Sequence, residues 1–215
     1  MTPFRAGPTG YVAGLEPSER IVLAQLAGDV AQMLQDQAGA GEGATADPEP
    51  DAATGAAWAP PGWTGPAGPV PATSAPRDPA VRRLLPDASD DEEVAAEFRR
   101  FTQADLADEK VRRLVLLAQM LVDGEPSEPA PFVVARDVAR RVVAALTDVR
   151  LVLADRLELH TDEQVEDLYD ELAKEAEPDD DAGPRRFLVS LFLLTGLLQE
   201  SLVEGMLADL RSGRP

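Results

Sequence analysis

A chain of 215 residues with no cysteine and a single histidine, His160, has no thiol nucleophile, disulfide switch, zinc ribbon or iron–sulfur site of its own. Its 20 basic against 39 acidic side chains give a formal charge of -19, which repels phosphate backbones and anionic lipid unless the cations are strongly segregated. Charge of this sign keeps a protein dispersed and, where it serves recognition, favours a basic protein partner.

The chain opens Met1-Thr2-Pro3-Phe4-Arg5, with no apolar run of signal-peptide length behind a basic start, so a cytoplasmic location is expected. Gly7, Pro8, Gly10 and Gly14 around Tyr11-Val12 suit one or two short strands and a tight turn. Beyond Pro17, residues Val22, Leu23, Leu26, Val30, Met33 and Leu34 recur at three- and four-residue intervals, which predicts an amphipathic helix to about Gln37. Residues 39–77 are largely Ala, Gly, Pro, Thr and acid, too poor in apolar surface to offset ordering entropy, and read as a disordered or polyproline-like insert. Trp58 and Trp63 lie in it, first as incidental aromatics of a linker and second as a proline-rich docking peptide.

Folding is expected to resume at Asp78-Pro79, an acceptor before a helix-starting proline, with a short helix over 80–85 stopped by Pro86. Asp90, Asp91, Glu92 and Glu93 complement the positive end of the next helix, which explains them without a metal. Thr102 with Asp105 resembles a relaxed capping box, leaving open two helices or one bent helix up to Val122. After the break at 124–131, Val134, Val138, Val142, Leu146, Val149, Leu153 and Leu157 predict one long helix over 132–159, with Arg136, Arg140 and Arg141 away from its apolar side. Thr161 and Gln164 form a capping box opening a shorter helix through Val165, Leu168 and Leu172.

The last helix, 185–210, is apolar nearly all round. Its charge-free part, 187–199, falls short of the ~18 to 20 residues of a bilayer span, so it belongs in the centre of the core or faces another chain, and no membrane association is expected. These elements predict a mainly α protein, a helical bundle with a short N-terminal β element. Residues 1–38 and 78–212 would form one domain around the insert.

His160, beside Glu158 and Asp162, is first a capping contribution at a helix end and second a base or ligand, since nitrogen-ligand metal sites seldom use one histidine. Glu163, Glu166, Asp167, Asp170 and Glu171 make a negative face, first solvated and second a surface for cations or a basic partner. No phosphate loop or nucleophile elbow occurs, and no cofactor or metal is expected. Arg82-Arg83, Arg99-Arg100, Lys110 with Arg112-Arg113, and Arg136 with Arg140-Arg141 could meet phosphate if gathered on one face. Most are expected instead to pair with acids four residues away, as Asp137 with Arg141 and Glu109 with Arg113. Asp148 and Arg150 interrupt an apolar stretch. If buried they need partners, in a structural polar network first and an interface contact second.

Three stretches together resemble a family of uncharacterised-domain proteins of actinomycete bacteria that includes regulators of the oxidative-stress response. They are Asp78-Pro79-Ala80-Val81-Arg82-Arg83-Leu84-Leu85-Pro86 with Glu97-Phe98-Arg99-Arg100, then Ala145 to Leu153 with Arg156-Leu157, and Leu198-Gln199-Glu200-Ser201-Leu202-Val203. The resemblance implies a cytoplasmic regulator of transcription in redox homeostasis, acting with a sigma factor or RNA polymerase and linked to cysteine biosynthesis. In its redox-sensing form that mechanism uses an intramolecular disulfide, which this chain has no cysteine to form.

The first functional expectation is therefore a non-enzymatic regulatory or interaction protein, a homodimer through an apolar helix, whose acidic surface engages a basic protein. Asp148, Arg150, Arg156, Leu191, Leu198, Gln199 and Glu200 are its candidate partner-binding residues. Direct DNA binding by an arginine-bearing helix is the second expectation, disfavoured by charge, and a metal-dependent or carboxylate enzyme the third.

Overall fold

The structure, a computed structural model, describes residues 1–42, 75–123, 131–173 and 183–213. Strands β1 (Thr2–Ala6) and β2 (Gly10–Gly14) form an antiparallel hairpin whose turn is closed by Gly7 N–H donating to the Gly10 carbonyl at 2.7 Å. A third strand, β3 (Phe132–Ala135), pairs antiparallel with β2 and sets Val134 against Tyr11 and Phe132 against Ala13. Sheet order is β1-β2-β3. The alternation along the strands turns Phe4, Tyr11, Ala13, Phe132 and Val134 to one buried face.

Helix α1 (Pro17–Glu42) lies along α3 (Glu92–Val122), burying Ala27, Val30 and Leu34 with Leu114, Leu117 and Leu121 in the common core. Arg20 of α1 donates to the Leu121 and Asp123 carbonyls at 2.7 and 2.8 Å, placing a cation at the negative end of the α3 dipole. Asp78 caps the short α2 (Pro79–Leu84) by accepting from Ala80 N–H, and Asp91 caps α3 by accepting from Glu93 and Val94. α4 (Ala139–Arg156) packs between α2, α3 and α6 (Gly183–Arg211), with α5 (Asp162–Ala173) against α6. The expected capping box opens α5, Gln164 N–H donating to Thr161 Oγ1 at 3.3 Å and Thr161 N–H to Gln164 Oε1 at 3.1 Å.

The mainly α class with a small β element stands. One alternative left open by the sequence is decided, and two details differ from the expectation. α3 runs unbroken through Thr102, whose hydroxyl donates to the Phe98 carbonyl four residues back and caps nothing. The expected helix over 132–159 is shorter, because its start is β3, drawn into the sheet by β2. α1 continues past Gln37 to Glu42, so the first residues assigned to the insert are helical, while 43–74, with Trp58 and Trp63, lie outside the described residues.

One buried cluster joins residues from Phe4 to Leu34 with others from Ala80 to Leu202. α6 is the one helix among the described residues long and apolar enough to cross a membrane by length and composition, and here Val189, Phe192, Leu198 and Leu202 on its inner side pack into that cluster.

Gly10 sits at φ 156°, and a Cβ there would stand 2.2 Å from the Val134 carbonyl oxygen, inside the β2–β3 ladder. Gly10→Ala must therefore separate the two strands. Urea denaturation is expected to register a loss of about 3 kcal/mol or more, whereas alanine at Gly28, where nothing lies within 4 Å, leaves stability equal or slightly raised.

Candidate interaction site

Polar contacts fix how α6 is rotated in the fold. Ser201 Oγ accepts from Phe4 N–H of β1 at 3.0 Å. Asp209, itself buried, accepts from Tyr11 Oη at 3.0 Å and Arg136 Nε at 2.8 Å, while the same guanidinium holds the Gly7 and Pro8 carbonyls of the hairpin turn. Burial and the bond to Asp209 together push the Tyr11 phenol pKa above its ordinary value. Gln199 bridges to α4, accepting from Arg150 Nη1 at 2.9 Å and donating to Thr147 Oγ1 at 2.8 Å.

Along the N-terminal half of α6, part of the helix surface is left open. Phe187, Leu194 and Leu197 of α6, Tyr169 and Leu172 of α5 and Val22 of α1 line a groove of about 580 Å³. Tyr169 is 64 % exposed, Phe187 52 % and Leu197 42 %. Phe187, Leu194 and Leu197 lie at helical spacing along one side, with Ser190 between them and Leu191 buried beneath, and folding does not require the exposure of Phe187 and Leu197.

Arg150 lies beside this surface, within electrostatic range of Tyr169 and Glu200. Its guanidinium stacks 4.9 Å over the Phe192 ring, and its buried Nε has no hydrogen-bond partner. Desolvation pulls its pKa below the usual guanidinium value against the pull of Tyr169 and Glu200. The site can thus offer an apolar trough and, beside it, a partly compensated cation.

The sequence candidates divide. Arg150, Gln199 and Glu200 gather beside the groove, and Leu191 helps line it. Leu198 is in the core. Asp148, 1 % exposed, faces α3 instead, accepting from Lys110 Nζ and Arg113 Nε at 2.6 Å each. Arg156 faces α2 and pairs with Asp78 at 2.6 Å. Tyr169, Phe187, Leu194 and Leu197 were not singled out as site residues in the sequence; their row spacing was legible, but not which side of an all-apolar helix would stay open.

The basic patches are largely engaged internally. Arg99 binds Asp87 and Glu92, Arg83 binds Asp155 and His160 Nδ1, and Arg113 binds Asp148 where Glu109 was expected; Glu109 meets Arg112 instead, at 3.6 Å. Arg141 makes no ion pair with Asp137 among the described residues. No group of three or more His, Asp or Glu among the described residues could hold a metal ion.

Asp148→Asn leaves two cations at a nearly closed site with no counter-charge, so a loss of about 3 kcal/mol is expected in urea denaturation. The Arg156 hydrogen bond holds the Asp78 carboxyl below its ordinary pKa, so the ionised pair's contribution is complete above the unfolded-state value of ~3.9 and fades as pH falls through the lower folded value. Asp78→Asn keeps a capping side chain, and the exposed pair is screened. Its deficit is accordingly expected to be about 0.5 kcal/mol at neutral pH and to close in acid below the folded pKa.

No curated protein and no solved structure matches the chain. The sheet, the groove and the Arg150 cluster all lie within residues 1–206, which the model of the family described as Domain of unknown function (DUF2017) matches, and the chain belongs to that family.

Proposed function

We propose that this protein is a non-enzymatic, cytoplasmic interaction protein that regulates transcription by binding a protein of the transcription machinery in the groove between α1, α5 and α6. The observation that carries the interaction reading is the run Phe187, Leu194 and Leu197, left partly or largely open on the N-terminal half of a helix that buries Val189, Phe192, Leu198 and Leu202 in the core. Burying such side chains is worth about 1.5–3 kcal/mol each, and here that gain is left for a second molecule. The identity of the partner, a sigma factor or RNA polymerase in oxidative-stress homeostasis, follows from the resemblance of 78–86, 145–157 and 198–203 to that regulator family. With no cysteine, any response to oxidant must come through the partner or another group.

Direct DNA binding draws less support. Of the arginines that would meet phosphate, Arg83, Arg99, Arg113 and Arg136 are held by Asp155, Asp87 with Glu92, Asp148 and Asp209, and releasing them would leave those acids unpaired.

The test is co-purification from the host of tagged wild type and of Leu197→Glu. Wild type is expected to retain a sigma factor or RNA polymerase, and the variant to lose at least about tenfold of it. Because Leu197 is partly exposed, its unfolding midpoint should move by no more than about 0.5 kcal/mol. Equal recovery by a folded Leu197→Glu protein would remove the groove from the mechanism.

A further inference from the structure

We infer that the occupant of the groove is an amphipathic helix with basic flanks, an inference that rests on the groove being a binding site. Phe187 to Leu197 covers ten helical steps, about 15 Å, the length of a helix of roughly three turns. An apolar trough of that length along a helix asks for an apolar row at positions i, i+3 or i+4, and i+7.

The rim decides the flanks. Glu19 lines the groove on the α1 side but is already occupied there, facing the N-terminal ammonium of Met1 at 4.0 Å and accepting from Glu16 N–H, so the unpaired rim is on α5 and α6. On α5, Asp162 and Glu166 precede Tyr169 by seven and three residues and so share its face. On α6, Glu200 and Glu204 follow Leu197 by three and seven residues and continue its row. Asp162, Glu166, Glu200 and Glu204 make no ion pair among the described residues. The neighbouring cations are engaged: Arg20 of α1 by the Leu121 and Asp123 carbonyls, Arg150 of α4 by Gln199 and the Phe192 ring, and Arg185 and Arg186 at the start of α6 by the Glu171 carboxylate and the Glu171 and Leu172 carbonyls.

The trough is therefore apolar in its floor and negative along its sides. A second copy of the chain, at -19, would bring the same acids against themselves across a two-fold axis. An anionic lipid surface meets the same repulsion. A helix carrying Lys or Arg beside its apolar row satisfies both floor and rim.

Methyl-labelled full-length protein would be titrated with synthetic peptides of about fifteen residues: an amphipathic Leu/Lys helix, its Leu/Glu counterpart, and a scrambled Leu/Lys peptide without an apolar face. The amphipathic Leu/Lys peptide is expected to bind one to one, to shift the Leu194 and Leu197 methyls, and to bind at least about tenfold more tightly than either control. Its affinity should fall about tenfold between roughly 50 and 300 mM salt, and the Glu166→Gln/Glu200→Gln/Glu204→Gln protein, altered only at exposed positions, should lose most of that salt dependence.

Equal binding of the Leu/Glu peptide at the same methyls would overturn the basic-flank inference and leave the groove reading standing. The scrambled peptide binding as tightly, without methyl shifts, would reduce the effect to general attraction by an acidic surface and overturn it too. Self-association abolished by Leu197→Glu, with no peptide shifting the groove methyls, would make a second copy the occupant. A monomer whose groove methyls no peptide shifts would overturn the groove reading itself.

Discussion

A helix apolar on every side has no preference for which face it buries, and in α6 a few hydrogen bonds make that choice. Ser201 is tied to the backbone of β1, Asp209 to Tyr11 and Arg136, and Gln199 to Arg150 and Thr147 on α4. Each is worth only about 1 kcal/mol net, but rotating the helix would bury these polar groups without partners, at about 1–3 kcal/mol apiece. The rotation they set also lets Tyr11 lie flat against α6, where a Cβ at Gly205 would stand 2.9 Å from its ring. Sheet, bundle and open groove all follow from this one orientation.

The same economy of polar contacts shapes the field around the molecule. Cations are drawn inward or into pairs: Arg20 to the end of α3, Lys110 and Arg113 to Asp148, Arg136 to Asp209. The acids outnumber them, and the surplus is left at the surface, along α5 most densely. Internal pairing thus turns a modest excess of acid in the composition into a surface with few cations left to offer phosphate. The negative rim of the groove is a local instance of that general arrangement.

What the sequence disclosed were features settled within a few residues. The caps at Asp78 and Thr161 depend on side chains reaching their own backbone, and both formed as read, while Asp91, legible only as one of four acids at a helix start, is the N-cap of α3. What it concealed depended on distant partners. Phe132-Val133-Val134-Ala135 alternates as a strand does, yet Val134, Val138 and Val142 also keep a helical spacing; only β2, more than a hundred residues earlier, decides between them. Arg113 could meet Glu109 on its own helix, but a nearly closed Asp148 on α4 holds it more strongly than a solvated neighbour. Asp148, Arg150 and Arg156 share one helix and face three different elements, so adjacency in sequence did not make them one site.

Two departures from good packing converge on the outer part of α6. Arg150 keeps a buried Nε without an acceptor and a guanidinium whose charge burial disfavours, and the groove keeps large apolar side chains in water. The exposed row does not help the isolated chain fold, since polar residues at Phe187 or Leu197 would relieve it, whereas Arg150 offsets part of its burial through the bond to Gln199 and the Phe192 ring. Tyr169 connects them, lining the groove while lying within electrostatic range of the arginine. On the proposed reading, a bound helix would cover the apolar row, so that this penalty of the free protein would become a contact of the complex. On that reading the exposed row of α6 would contribute little to stability and much to recognition, so that substitution could separate the two properties.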